Sequence, residues 1–209
     1  MKVIVFGATG SVGKLAVEKL LADGHAVTAF ARSPGKLGIA HPALTLRAGD
    51  ALSADEVAAA VEGHEAVIIT LGAGMSRKSR IRSQGTLNVI RGMQQHGVRR
   101  LICQSTLGTQ ESWANLNFFW KRIMFGALLR PVFRDHELQE RLVNASGLDW
   151  TIVRPSAFAD GPAAGAFKEG FGPQERGLSL KISRSDIAAF LASQLHDLRY
   201  ARRAVAISN

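Results

Sequence analysis

The sequence predicts an α/β protein with a doubly wound, mainly parallel sheet and helices on both faces. Short β-rich runs alternate with segments of helical periodicity along the 209 residues, which is typical of strands joined by helical crossovers. Two of the runs, VIVF at 3–6 and VIIT at 67–70, consist almost wholly of apolar and β-branched residues, as expected for strands buried on both faces. Ligands bind such sheets beyond the carboxyl ends of the strands. We therefore expect the functional residues at that edge.

Seven segments have the composition of strands. They are short and rich in β-branched or other apolar residues, which favours extended structure in a sheet core. In chain order they are KVIVF (2–6), AVTAFA (26–31), LTLRA (44–48), AVIIT (66–70), RLICQ (100–104), WTIVR (150–154) and AVAI (204–207).

Five segments between or after these strands are predicted to be helices. Gly24 and Gly97 are expected to end the first and third helices, since glycine adopts the left-handed backbone conformation of a helix C-terminus. Ser53 and Glu56 form a capping box at the start of the second. The predicted helices cover 12–23, 53–61, 83–96, 133–146 and 184–195.

The turn after the first strand has the features of a phosphate-binding loop. Gly7 permits a tight turn, Gly10 lets the backbone approach a pyrophosphate, and Gly13 lets the helix pack against the sheet. The N-terminus of the helix offers N–H groups and partial positive charge to phosphates. The spacing is G-x-x-G-x-x-G, so its place between a strand and a helix strengthens the prediction. The predicted loop residues are Gly7, Thr9, Gly10, Ser11, Val12 and Gly13.

The segment after the second strand, FARSPGKL, indicates which cofactor is bound. An NAD site usually has Asp or Glu here, but this chain has Arg32, with Ser33 and Lys36 nearby. An arginine binds a 2′-phosphate through two parallel hydrogen bonds, whereas an acid repels it. The sequence therefore favours NADPH (NADP) over NADH.

Two further strand ends complete the expected cofactor site. Asp50 follows the third strand and is expected either to accept a hydrogen bond from the adenine amino group or to cap the next turn. Leu71 and Gly72 follow the fourth strand at the same edge of the sheet.

The formal net charge of +9 favours anionic partners. The densest basic cluster contains Arg77, Lys78, Arg80 and Arg82. We interpret it either as a solvated loop or as a loop that attracts an anionic cofactor or substrate. A nucleic-acid partner is not expected, because neither zinc-ligand spacing nor an RNA-binding aromatic pattern accompanies the cluster.

The single cysteine, Cys103, lies in a predicted strand and is expected to be buried. One cysteine cannot form an internal disulfide, and the first apolar run is too short for a signal peptide, so the sequence favours a reduced, cytoplasmic protein. No apolar run approaches the length that spans a membrane.

Five motifs resemble the atypical short-chain dehydrogenase/reductase group, in particular NAD(P)H-binding proteins of the NmrA-like and flavin reductase/biliverdin reductase B type. The resemblance covers nearly the whole chain. It implies one Rossmann-type domain over 1–209, with a small substrate-binding part near the C-terminus in which about 155–182 form a substrate loop or lid. The motifs are FGATGSVG (6–13), GD (49–50), SQGTLNVI (83–90), SGLDWTIVRP (146–155) and ISRSDIAAFL (182–191).

The resemblance implies an NADPH-dependent oxidoreductase that reduces a flavin, a quinone or a similar planar acceptor. Some members of the group only sense the cofactor, so a non-catalytic NADP(H)-binding regulator is the alternative. The backbone at Pro155 and Ser156 is expected to meet the nicotinamide carboxamide. We expect a small-molecule partner and a monomer or homodimer.

The proton donor of typical short-chain dehydrogenases has no counterpart here. Those enzymes use Tyr-x-x-x-Lys, but this sequence has Val132 and His136 in the corresponding places, and its one tyrosine is Tyr200. Hydride transfer to a flavin or quinone spreads negative charge over a ring, and water can then supply the proton. Ser105 and Thr106 are expected to orient the acceptor or the nicotinamide. His136 either holds the nicotinamide ribose, acts as a weak acid or lies on a helix surface.

Two other segments are assigned to the substrate side. Residues 118–129 are apolar around most of a helix, which predicts burial, with a pocket wall, a dimer contact or a membrane contact as the alternatives. The glycine-rich stretch 161–177 is either a lid over the acceptor or a surface loop.

Overall fold

The structure is a computed structural model that describes residues 1–74, 76 and 80–209. Within these residues a sheet of eight strands has the order β3-β2-β1-β4-β5-β6-β10-β8, and β7 and β9 form a separate parallel pair. In the large sheet only β8 is antiparallel to its neighbour. The strands are β1 Lys2–Phe6, β2 Ala26–Ala31, β3 Leu44–Ala48, β4 Ala66–Ile69, β5 Arg100–Gln104, β6 Asp149–Pro155, β7 Ala157–Ala159, β8 Lys168–Glu169, β9 Lys181–Ser183 and β10 Arg203–Ser208.

Helices cover both faces of the large sheet. One face packs against α1 and α5, and the other against α2, α3 and α4. The helices are α1 Ser11–Ala22, α2 Ala54–Val61, α3 Ile81–Gln95, α4 Arg130–Asn144 and α5 Arg184–Ser193, with 3-10 turns at Pro34–Leu37 and Gln110–Asn115 and a π-helix at Phe119–Leu128. This arrangement confirms the predicted doubly wound fold.

The first strand shows how the sequence creates two cores. Its side chains alternate between the faces, so Val3 and Val5 pack beneath α1, while Ile4 and Phe6 pack towards α2 and α3. All four side chains are fully buried. Both faces therefore need apolar residues, which explains why β1 is apolar at successive positions.

The order of the strands determines where a ligand can bind. The chain runs from β1 outward to β3 on one side, and then returns to β4 on the other side of β1. The loops after β1 and β4 therefore diverge to opposite faces and leave a crevice at the carboxyl edge. In doubly wound sheets this crevice is the ligand site.

The boundaries of the helices follow the expected chemical signals. Ser53 accepts a hydrogen bond from the Glu56 N–H at the start of α2, although the Glu56 carboxylate bonds the Asp50 N–H instead of closing the capping box. Gly24 and Gly97 follow α1 and α3 with φ of +82° and +69°. Cys103 is fully buried in β5, where burial raises the pKa of its thiol, so the expectation of a buried residue is confirmed.

Three short strands were not predicted from the sequence. β7 and β9 pair over three residues, and β8 pairs with the end of β10 over two. Segments this short lack a recognisable period, and contacts between distant parts of the chain determine their pairing. The predicted loop 161–177 thus contains a strand, β8.

The expectation that 118–129 is buried is wrong. Only Phe125 is buried in the π-helix, while Phe118 is 74% exposed and Phe119 is 49% exposed. The helix lies over the carboxyl edge of the sheet instead of between layers, so one side contacts the protein and the other faces outward. The pocket-wall alternative describes the inner side of the helix, where Trp120 and Phe125 line a cleft.

Candidate functional site

A cleft of about 740 Å³ opens at the carboxyl edge of the sheet. The segments after β1, β2, β3, β4, β5 and β6 all contribute to its wall, together with the π-helix and α4. The cleft begins at the crevice between β1 and β4 and extends past the end of β6. It is therefore long enough to receive an extended ligand that crosses the sheet edge.

The glycine turn fits closely against the end of β4. Gly7 has φ of +86°, and a Cβ there would lie 2.7 Å from the Thr70 carbonyl oxygen. A Cβ at Gly13 would lie 2.2 Å from the Gly7 carbonyl oxygen. Thr70 Oγ1 donates to the Phe6 carbonyl at 3.1 Å and so joins β4 to the turn. Only glycine fits at these two positions, which brings the start of α1 close to the sheet.

The N-terminus of α1 is open towards the cleft. Gly10 precedes the helix in an extended conformation, with no side-chain cap and no acidic residue in the first turn. Gly10 and Ser11 are exposed and line the cleft. The first N–H groups of a helix have no partner inside it, and their dipoles favour an anion. This end of the cleft can therefore bind a phosphate.

Arg32 places a cation at the edge of the cleft next to the helix N-terminus. The residue is exposed, lines the cleft and has no ion-pair partner in the part of the chain that the structure describes. Ser33 precedes the 3-10 turn Pro34–Leu37 and Lys36 lies within it, and both residues lie outside the cleft wall. A free guanidinium at this position can bind a second phosphate group.

Asp50 is held by local contacts in the part of the cleft that follows β3. Its Oδ1 accepts from the Leu52 N–H at 3.0 Å, and its own N–H donates to Glu56 Oε2 at 2.9 Å. The side chain thus caps the following turn, which was one of its two expected roles. The residue also lines the cleft, so one carboxylate oxygen remains available to a ligand.

Three uncharged polar atoms buried in the cleft wall have no hydrogen-bond partner within the described residues. They are Gln104 Oε1 and Ser105 Oγ at the end of β5, and Ser156 Oγ after β6. Buried polar groups are rarely left unpaired, because each costs about 1–3 kcal/mol. Their grouping at one place indicates that a polar ligand satisfies them.

His136 lies in the cleft on α4 and makes a hydrogen bond through one ring nitrogen. Its Nδ1 is 3.2 Å from Gln139 Oε1, and Gln139 Nε2 donates to Thr86 Oγ1 at 3.0 Å. This network assigns the proton to Nδ1 and leaves Nε2 as an acceptor. Burial, and then the charge of Arg82, lower the pKa of His136 to about 3. The ring is therefore neutral near neutral pH.

Arg82, on the first turn of α3, carries a positive charge in the cleft wall. Its side chain is 13% exposed, and its Nη1 lies 3.9 Å from Asp135 Oδ2. Its Nε and Nη1 are buried without a hydrogen-bond partner among the described residues. Burial lowers the pKa of the guanidinium, an effect that Asp135 partly offsets.

An apolar wall faces these polar groups. The π-helix contributes Trp120 and Phe125, whose ring centroids are 5.5 Å apart, and α4 contributes Val132. Phe158 of β7 lines the same part of the cleft. A cleft with aromatic walls and a few polar groups is typical of a site for a planar organic molecule.

The single tyrosine is far from this chemistry. The Tyr200 hydroxyl donates to Glu169 Oε1 at 3.3 Å, beside β8, and its ring packs near Phe190 of α5. Tyr200 is not among the residues of the cleft wall. The described cleft wall therefore contains no phenol. This agrees with the sequence, in which Val132 stands where typical short-chain dehydrogenases have the tyrosine.

Arg184 connects the start of α1 with the segment after β7, a role that the sequence pattern did not indicate. Its Nε donates to Ser11 Oγ at 3.2 Å, and its Nη1 pairs with Asp160 at 2.5 Å. The guanidinium also lies 5.6 Å from the centre of the Phe158 ring. The motif ISRSDIAAFL contains the residue, but only the fold brings the start of α5 beside the glycine turn.

The cleft brings together most of the residues that the sequence singled out. Gly13 and Pro155 lie behind the wall, and Arg77 and Lys78 of the basic cluster lie outside the described residues. No described residue of 161–177 lines the cleft. The predicted residues in the wall are Gly7, Thr9, Gly10, Ser11, Val12, Arg32, Asp50, Leu71, Gly72, Ser105, Thr106, His136 and Ser156.

Comparison with known proteins identifies the family of the chain. A model of the NAD(P)H-binding family matches residues 7–198, which is most of the chain. The uncharacterized sugar epimerase YhfK of Bacillus subtilis is 28% identical, over 98% of this chain and 92% of its own length.

Two solved structures have the same fold. The anaerobilin reductase ChuY of Escherichia coli O157:H7 has a TM-score of 0.79 and 26% identity, and the match covers 99% of this chain and 96% of ChuY. A short-chain dehydrogenase/reductase of Veillonella parvula, solved in complex with NADP, has a TM-score of 0.83 at 18% identity, over 100% of this chain and 94% of that one. The second likeness shows the fold alone.

Proposed function

The chain belongs to an NAD(P)H-binding family of oxidoreductases with the Rossmann fold, and from that premise we propose that it is an NADPH-dependent reductase of a planar conjugated acceptor such as a flavin or a quinone. The observation that supports this proposal most strongly is the composition of the long cleft. An open helix N-terminus, three uncharged polar atoms without a partner among the described residues, and an aromatic wall follow one another along it.

The residues around the N-terminus of α1 and the ends of β2, β3 and β4 are proposed to bind NADPH. The N-terminus of α1 fits the pyrophosphate, and Arg32 fits the 2′-phosphate that distinguishes NADPH from NADH. Asp50 is proposed to contact the adenine, with Leu71 and Gly72 along the cofactor. Ser33 and Lys36 are proposed to support Arg32 from the neighbouring turn.

NADPH, when bound, supplies the hydride for the reaction. Ser105 and Ser156 are proposed to orient the nicotinamide, since both have a buried hydroxyl without a partner among the described residues. The backbone at Pro155 is proposed to assist them. Thr106 is proposed to orient the acceptor, and the neutral His136 to accept a hydrogen bond from a ribose hydroxyl through Nε2.

No tyrosine lines the described part of the cleft, which supports a flavin or a quinone as the acceptor instead of a simple ketone. A ketone needs a proton at the oxygen as the hydride arrives, and Tyr-x-x-x-Lys normally supplies it. A conjugated ring disperses the charge, so water can protonate the product. The aromatic side chains Trp120, Phe125 and Phe158 provide stacking surfaces for such a ring. The likeness to ChuY, an anaerobilin reductase, is consistent with a conjugated acceptor.

The whole site is proposed to lie within one domain over 1–209. Described residues of one chain line the cleft from the end of β1 to β7, so a monomer or a homodimer is proposed. Asp186 accepts hydrogen bonds from the Ala164 and Gly165 N–H groups at 3.0 Å, which ties the start of the loop 161–177 to α5. A lid made by residues about 155–182 remains a prediction.

None of the described helices is long and apolar enough to cross a membrane.

The experiment that tests the proposal is steady-state oxidation of NADPH with menadione, FMN and FAD as acceptors. We expect NADPH oxidation to depend on both the protein and the acceptor. If cofactor binds but no acceptor in a broad panel is reduced, the alternative of a non-catalytic NADP(H)-binding redox sensor replaces the enzyme proposal.

A further inference from the structure

A buried cation with two donors that lack a hydrogen-bond partner among the described residues is a feature of the cleft that the proposed cofactor contacts do not use. Arg82 carries this charge on α3, between the strand end at Gly72 and His136 on α4. A Cβ built on Gly72 would lie 3.8 Å from Arg82 Nη2, so the guanidinium reaches the floor of the cleft. Its Nε and Nη1 have no hydrogen-bond partner within the described part of the chain.

Asp135 does not fully neutralise this charge. Its Oδ1 accepts from the Ser83 N–H at 3.1 Å and from Ser83 Oγ at 2.5 Å, and its Oδ2 accepts from the Arg82 backbone N–H at 3.1 Å. The Arg82 guanidinium is 3.9 Å away, beyond hydrogen-bond length. The carboxylate therefore mainly holds the start of α3, and the Nε and Nη1 donors of the guanidinium have no hydrogen-bond partner among the described residues.

The surroundings of Arg82 favour an anionic ligand. His136 is neutral, so it adds no competing positive charge. The apolar wall of Trp120, Phe125 and Val132 restricts water and thereby strengthens a charge-assisted hydrogen bond. A guanidinium presents parallel N–H donors that match the two oxygens of a carboxylate.

We infer that Arg82 forms an anion subsite for the substrate, and that the preferred acceptor is a planar molecule bearing a carboxylate or an equivalent acidic oxygen. The aromatic wall holds the ring, and the guanidinium binds the acid. This inference rests on the proposed function, because it assigns the ligand of the acceptor end of the same cleft. It adds a recognition residue that the family resemblance does not assign.

A matched pair of ligands tests this subsite without turnover. Naphthoate and naphthamide have the same planar ring, but only naphthoate carries a negative charge. Their binding to the NADP⁺-loaded protein is measured by calorimetry. We expect naphthoate to bind at least about tenfold more tightly than naphthamide, since a charge-assisted hydrogen bond contributes at this level.

Two substitutions then assign the preference to a residue. Arg82→Gln should remove the preference for naphthoate, and Arg82→Lys should retain part of it. Arg80→Gln is the matched control, because Arg80 is exposed two residues away and removal of its charge should leave the preference intact. Circular dichroism verifies that each variant folds. The Arg82→Lys variant keeps the test valid even if Arg82→Gln fails to fold.

Three results would overturn the inference: equal binding of the two ligands to the wild type, a preference that survives in Arg82→Gln, or an equal loss in Arg80→Gln. A loss of NADP⁺ affinity in Arg82→Gln with naphthoate preference unchanged would assign the residue to the cofactor instead. Turnover of the neutral acceptor menadione is measured in parallel. If menadione is not reduced but naphthoate still binds more tightly than naphthamide, the proposed reaction is rejected and the anion subsite is supported.

Discussion

Single residues determine the chemistry of the cleft, and they differ in how far the sequence reveals them. Gly7, Gly13 and Arg32 are recognisable because their spacing from a strand indicates their position in advance. Arg82 is recognisable only as one member of the basic cluster and Arg184 is not recognisable, because the contacts of both join segments that are far apart in the chain. Sequence patterns describe neighbours along one element. The guanidinium groups of Arg82 and Arg184 meet Asp135 and Ser11 only after the helices have packed.

Arg32 should determine the preference for NADPH. Its replacement by alanine removes one charge-assisted contact to the 2′-phosphate, worth roughly 1.5–3 kcal/mol. We expect the wild type to bind NADPH at least about tenfold more tightly than NADH, and Arg32→Ala to lose most of that difference. Calorimetry measures both affinities. Arg47→Ala, which removes an exposed charge from β3 outside the cleft, should preserve the preference. Equal wild-type affinities for NADPH and NADH would contradict the assignment.

Replacement of Gly10 by valine should leave the protein folded but prevent cofactor binding. The residue is exposed at the start of α1, and a Cβ there would approach only the Gly7 carbonyl, at 3.2 Å, and the Thr70 carbonyl, at 4.0 Å. A valine would fill the space proposed for the pyrophosphate. We predict that Gly10→Val keeps its circular dichroism spectrum and loses NADPH binding. A folded variant with unchanged affinity would disprove the proposed phosphate site.

Thr106 and His136 should each assist turnover without being indispensable. The lowered pKa of His136, about 3, keeps the ring neutral from about pH 5 to about pH 9, so its charge cannot produce a break in the rate profile there. We expect Thr106→Ala and His136→Ala to lower turnover moderately, and the pH profile of His136→Ala to keep the wild-type shape. A dedicated acid contributes about 10²–10⁴-fold. Complete loss of activity in one variant, with cofactor affinity intact, would identify that residue as the acid.

At the scale of elements, the sequence predicts regular segments well and short or irregular ones poorly. β1, β2, β3 and β5 have the predicted bounds because their apolar runs are long enough to have a period and are bounded by turn residues. The π-helix Phe119–Leu128 misled the prediction, since its apolar side chains suggested burial within the core. A surface that binds an aromatic ligand and a surface that packs in a core have the same composition.

The packing of α1 on the sheet gives a stability prediction. A Cβ at Gly13 would lie 2.2 Å from the Gly7 carbonyl oxygen and 2.7 Å from Thr70 Oγ1, so Gly13→Ala must push the helix away from the turn. Such overpacking costs roughly 1–3 kcal/mol. We expect urea unfolding to show a loss of this order. Gly35→Ala is the control, since the added Cβ would meet nothing within 4 Å. Equal stability of the two variants would refute the close approach of α1.

At the scale of the whole molecule, the strand order explains why one edge carries the function. The reversal between β3 and β4 opens the crevice, and α1 directs its positive end into it. The order of the elements along the chain is enough to predict this edge. The aromatic wall at 118–129 is only one of several alternatives that the sequence offers, and the length of the cleft could not be predicted, because both depend on how the π-helix and β7 fold back over the sheet.

The central claim is that this cleft transfers hydride from NADPH to a planar acceptor without a phenolic donor. Its most direct measurement is a single turnover, in which the NADPH-loaded protein is mixed with menadione without oxygen and the NADPH absorbance is followed. We predict that bound NADPH is oxidised as menadione is reduced, and that Gly10→Val fails to accelerate the reaction. NADPH that is bound but stays reduced with menadione, FMN and FAD would contradict the claim.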